Sequence, residues 1–142
     1  MSMTLDEIYD SFIWNESYTD EEYEAKISVG INEARKFKYL YPFIQPVIPG
    51  KVIWEPCARV LALKSDEELE PYLLMLFEWL QDVNWPGGWT IYDRLLKMPF
   101  SMLKETYDYC VRRATKESDE LWLSILEDFK KEIMDNDRKS DK

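Results

Sequence analysis

Histidine is absent from this 142-residue chain. With it go the usual neutral-pH general base, the commonest transition-metal ligand and every Ser-His or Cys-His arrangement, so most hydrolase mechanisms are excluded. Glycine is scarce, with four residues against seven prolines. The prolines fall between periodic segments, which fits helices separated by proline corners better than strands joined by glycine turns. The only cysteines, Cys57 and Cys110, each fall on the apolar side of an expected helix. They read as buried reduced thiols and not as a disulfide, which favours a cytoplasmic setting. No apolar run approaches the length of a membrane span, and the N-terminus lacks a basic stretch followed by an apolar one, so neither insertion nor export is expected.

Positive charge is also short. Eighteen basic against 28 acidic residues leave a formal charge of -10. Such a field repels phosphate backbones and anionic lipid, so nucleic acid and membranes are not expected as partners, whereas a basic protein would be steered in. The same acid excess also serves solubility. The doublets Arg112-Arg113 and Lys130-Lys131 are too short to form a nucleic-acid patch.

The chain is rich in core-forming residues. Apolar residues make up 46% and aromatic residues 15%, with six Trp and nine Tyr. A domain of this length buries roughly 70% of the surface its unfolded chain would expose, enough for a core without staples. Thr4 with Glu7 and Thr19 with Glu22 have the spacing of capping boxes. The first opens a short helix to about Trp14, and the second a helix to Tyr39 or Leu40 that reads as the longest. Pro42, Pro46 and Pro49 then force a bent helix or loop, with a short extended piece over Val47 to Trp54 left open. Glu55-Pro56 opens a helix ending near Leu63. Ser65 to Glu68 starts another that must kink or restart at Pro71. Tyr72 to Gln81 is almost wholly apolar and reads as the central helix. A sixth helix follows Pro99, and Ser118 reads as the cap of a seventh, whose apolar face is Trp122, Ile125, Leu126, Phe129 and Ile133.

The densest local pattern is Trp79-Leu80-Gln81-Asp82-Val83-Asn84-Trp85-Pro86-Gly87-Gly88-Trp89. The apolar helix runs into a turn in which Asn84 can cap the next helix, with Trp85 and Pro86 in its first turn, so two helices meet at a rigid corner. Gly87 and Gly88 lower helix propensity by about 1 kcal/mol each, and close approach of a backbone or a bulky ring is the expected compensation. Trp-Pro corners near Pro56 and Pro86 suggest an internal period of roughly 30 residues. The expected fold is all-α, a short right-handed array of helical hairpins of about seven helices, HEAT-like. A globular bundle is the alternative. One domain is expected over 1–135, with a polar, disordered tail over 136–142.

The segment from Leu76 to Gly87 resembles a bacterial family of unknown function, the DUF family numbered 5071. Trp54-Glu55-Pro56-Cys57-Ala58-Arg59-Val60-Leu61 and the segment from Ser65 to Leu74 are similar to it too. The resemblance spans roughly Ile44 to Pro99 and implies an all-helical, repeat-like bacterial protein. It supplies no reaction and no catalytic residue.

Glu78 and Asp82, four residues apart, could share a helix face and serve a cation or an acid–base pair. Asp82 is equally placed to accept from backbone amides near Asn84. Among the tryptophans, which at helical spacing read as core, Trp85 is the ring expected to be exposed. The leading expectation is a non-enzymatic, cytoplasmic protein-interaction module with no cofactor, an immunity-type inhibitor of a basic partner being its specific form. Glu55, Glu78, Asp82 and Trp85 are its candidate contacts. Two other classes compete: a small carboxylate enzyme holding Mg²⁺ or Ca²⁺, and a small-ligand or glycan binder built on Trp85 and Trp89.

Overall fold

Thr4, Thr19 and Ser65 each start a helix by the same reciprocal device. Each side-chain oxygen accepts the amide three residues on (Glu7, Glu22 and Glu68; 3.1 to 3.2 Å), and each of those glutamates accepts the cap amide in return. In a computed structural model that describes residues 2–140, these caps open α1 (Leu5–Ser11), α2 (Asp20–Ala34) and α4 (Asp66–Leu69). The remaining helices are α3 (Trp54–Ala62), α5 (Leu73–Trp79), α6 (Gly88–Leu96), α7 (Phe100–Lys116) and α8 (Glu120–Ser140). Among the described residues there is no strand, so the extended piece left open before Trp54 is not formed. That stretch holds single 3-10 turns at Tyr41–Phe43 and Lys51–Ile53. Pro71 sits in a further 3-10 turn, Glu70–Tyr72, from which α5 restarts.

Two helices stop sooner than their apolar spacing predicts. α1 ends at Ser11 because Phe12, fully buried, turns inward, and the hydroxyl of Tyr23 donates to its carbonyl at 2.7 Å. α2 ends at Ala34, and the carbonyls of Arg35 and Phe37 just beyond it accept from the ammonium of Lys64, in the turn between α3 and α4. The longest helix is therefore α8, at 21 residues, and not α2, at 15. It runs on through the polar stretch from 136 to Ser140, while residues 141 and 142 of the expected tail lie outside the described residues.

α1 packs on α2 and α7 on α8 as sequential hairpins, while α3 packs on α6 and α5 on α7. The core between them is aromatic. Phe77 and Tyr92 both meet Phe129 edge-on at 5.5 Å, and the fully buried Trp79 and Trp122 donate their indole N–H groups to Pro86 and Phe77 carbonyls at 3.2 Å. Among the described residues no buried side-chain nitrogen or oxygen lacks a partner, as a core of this polarity requires.

Ser118 does not cap α8. It takes a left-handed φ of 55° as the residue after the α7 C-cap, and the amide of Asp119 donates to the Ala114 carbonyl at 2.9 Å, closing a Schellman turn. The cap is Asp119, whose carboxylate accepts from the Trp122 amide at 3.1 Å. Left-handed backbone is strained for residues other than glycine. Ser118→Gly is therefore expected to raise stability by about 1 kcal/mol and Asp119→Ala to lower it by about 1 kcal/mol, measured by urea unfolding.

Candidate functional site

The corner between α5 and α6 is where the sequence concentrates its candidates. After Trp79 the backbone tightens into a 3-10 turn, Leu80–Asp82. The amide of Trp85 then donates to the Asp82 carbonyl and that of Gly88 to the Trp85 carbonyl, at 3.0 and 2.8 Å. Asn84 therefore lies in a turn and caps nothing. α6 begins at Gly88 behind Gly87, whose φ of 82° reverses the chain in a conformation that glycine adopts without strain. The close approaches expected at both glycines are present. A Cβ on Gly87 would lie 2.7 Å from Ala58 Cβ and 3.0 Å from the Trp79 ring, and one on Gly88 would lie 2.1 Å from the Val83 carbonyl oxygen.

This geometry separates the two carboxylates. Glu78 leaves α5 towards α7 and pairs with Arg113 at 2.6 Å, while the Arg113 guanidinium lies 5.1 Å over the Trp122 ring. Asp82 turns back to the corner and accepts from the Asn84 amide at 3.0 Å. The i,i+4 spacing fails to make a shared face because the helix tightens to 3-10 geometry between the two positions. Glu55, on α3, lies 3.8 Å from Arg59, which also reaches Glu24 of α2 at 3.3 Å. Burial pushes the Glu55 carboxyl above the usual carboxylate range; Arg59 opposes the shift and Glu24 adds to it. Among the described residues no hydrogen bond or ion pair joins any two of Glu55, Glu78, Asp82 and Trp85.

Trp85 is half-buried, and Trp14 and Trp89 are the more exposed rings, at 55% and 50%. The reason is Trp54, whose ring meets both Trp79 and Trp85 edge-on at 6.0 Å, with Lys51 5.7 Å over the Trp85 ring. Trp54 thus stands between the other two indoles as a shared edge-on partner. Burial pushes the Cys110 thiol up to about 12 and the Cys57 thiol far above its ordinary value, so both stay protonated and are poor nucleophiles. Among the described residues no group of three or more Cys, Asp or Glu side chains is placed to hold a metal ion, and no helix is long and apolar enough to cross a membrane.

The side chains with the most demanding positions were not singled out by spacing or composition. Lys64 is only 7% exposed, and its ammonium donates to the carbonyls of Arg35 and Phe37 at 2.7 and 2.8 Å. Arg94 of α6 donates to the Lys64 carbonyl and to the Asp66 carboxylate at 2.8 and 2.7 Å. Together they tie the end of α2, the end of α3, the start of α4 and the last turn of α6. In the sequence both look like ordinary surface charges, since nothing local marks which carbonyls they will meet.

The fold and this corner define a class: an all-helical protein whose successive helices from α4 to α7 meet at short proline or glycine corners. More particularly, the chain belongs to the family described as Domain of unknown function (DUF5071), whose model matches residues 55–140. No curated protein and no solved structure matches the chain.

Proposed function

We propose that this chain is a non-enzymatic bacterial interaction module of the cytoplasm, in which stacked helical hairpins of the HEAT kind present an acidic surface to a basic protein. An immunity-type inhibitor that neutralises a cationic toxin is its specific form. One observation supports the reading above the rest: several cations are turned inward to hold helices together, while the carboxylate excess faces solvent. Lys64 serves backbone carbonyls, Arg94 is matched by Asp66, and Arg113 is matched by Glu78. The exterior is thus at least as negative as the formal -10 indicates, a field suited to rapid capture of a basic partner.

The test is capture on the immobilised full-length chain from a lysate of its native host, eluted with a salt gradient and read by mass spectrometry. A basic protein released as salt rises through about 0.1 to 0.5 M is the expected result, because attraction between exposed charges is screened over that range. Retention of acidic proteins only, or of partners indifferent to salt, would overturn the reading.

A further inference from the structure

We infer that the surface receiving this partner is the α1–α2 hairpin, where an apolar groove with carboxylates along it accepts a basic amphipathic segment of another protein. The inference rests on the reading above that the partner is basic, and adds where it binds and in what form. Charge is strongly uneven along the chain. Residues 1–25 hold eight Asp or Glu and no Lys or Arg, whereas the other 117 residues hold 20 acidic and all 18 basic residues. The stretch from Arg35 to Trp54 is the opposite, with four Lys or Arg and no acid. A cationic segment is therefore drawn to α1 and the start of α2 and pushed away from the loop that follows α2.

The same hairpin carries exposed apolar side chains. A groove of about 350 Å³ between α1 and α2 is lined by Met3 and Val29, with Glu7 and Asp10 beside them. Val29 is 56% exposed, and in the connection between α1 and α2 Trp14 is 55% exposed. Ser11 forms part of the groove lining, where the helices meet so closely that a Cβ on Gly30 would lie 2.0 Å from its hydroxyl oxygen. Lys26 also lines the groove, but its ammonium is held by the Tyr18 hydroxyl at 2.6 Å. Apolar side chains set among carboxylates complement a helix with leucine-like residues on one face and lysine or arginine on its flanks. This hairpin also precedes the segment matched by the family model, residues 55–140, so the partner surface and the shared framework are separate parts of the chain.

The probe is a fluorescein-labelled synthetic amphipathic Lys/Leu helix, titrated onto the full-length chain by anisotropy at low salt, with oligolysine of equal charge as the second arm. The hairpin variant is Asp6→Asn, Asp10→Asn, Glu16→Gln and Glu21→Gln, which leaves the capping glutamates in place. The corner variant is Glu55→Gln, Glu78→Gln and Asp82→Asn. Circular dichroism melts establish that each is folded. The expected result is about tenfold weaker binding for the hairpin variant, less than about twofold for the corner variant, and oligolysine about tenfold weaker than the Lys/Leu helix. Loss in the corner variant alone would overturn the hairpin assignment while leaving the basic-partner reading intact. Equal binding of the two probes would overturn the apolar groove. Absence of binding to either probe by the wild-type chain would overturn both the inference and the reading it rests on.

Discussion

Gly88→Ala is expected to lower unfolding stability by about 4 kcal/mol, among the largest effects of any single methyl group in this chain. The added Cβ would sit 2.1 Å from the Val83 carbonyl oxygen and 2.7 Å from its carbonyl carbon. Both are backbone atoms, and neither can swing aside as the end of a side chain can. Relief requires opening the turn that carries Asp82, Trp85 and the start of α6, and with it the seat of the Trp79 indole, whose N–H donates to the Pro86 carbonyl. Gly87→Ala meets a second obstacle, since its φ of 82° costs about 1 kcal/mol for a residue with a Cβ, even before the contact with Ala58. Urea unfolding followed by tryptophan fluorescence measures both. A Gly88→Ala loss below about 1 kcal/mol would show that the corner yields and is not the rigid joint described.

Lys64→Met is expected to cost about 3 kcal/mol. The methionine keeps much of the stem, so the loss isolates the ammonium. Without it the carbonyls of Arg35 and Phe37 lose charge-assisted donors at 2.7 and 2.8 Å, at the end of α2 where the helix dipole also favours a cation. Arg94→Met should cost about 2 kcal/mol, and the two changes should be less than additive, because Arg94 holds the Lys64 backbone carbonyl. Lys104→Ala is the reference: that pair, with Asp108 at 2.6 Å, lies on the surface and should shift stability by less than about 0.5 kcal/mol. The check is a set of urea curves in low and high salt. A Lys64→Met loss that vanishes at high salt would mean that the ammonium acts as a surface charge and not as a buried donor.

Legibility followed the range of the interaction. The boxes at Thr4 and Thr19 depend on residues three apart, and they form as spaced. The restart at Pro71 and the crowding at Gly87 and Gly88 were legible for the same reason: each follows from what a proline or a glycine does to its own backbone. Asp82 also accepts from Asn84, two residues on. Local spacing misleads where a distant group decides. Ser118 and Asp119 are both good caps, and only the path from α7 into α8 makes the first a left-handed joint and the second the cap. Trp85 looked exposed as a turn residue, yet Trp54, brought in from α3, covers one side of it.

By itself the sequence determined an all-helical chain, the places where helices start and bend, an aromatic core and an acid excess without histidine. Periodicity, capping and proline act over a few residues and are written locally, so no knowledge of neighbours is needed. Only the tertiary structure decided that Glu78 meets Arg113 and that Lys64 disappears beneath the end of α2. Those outcomes depend on which helices cross and at what register. Residues some 30 positions apart meet there, and a charge that looks solvated in the chain becomes a buried donor once a helix end is laid over it.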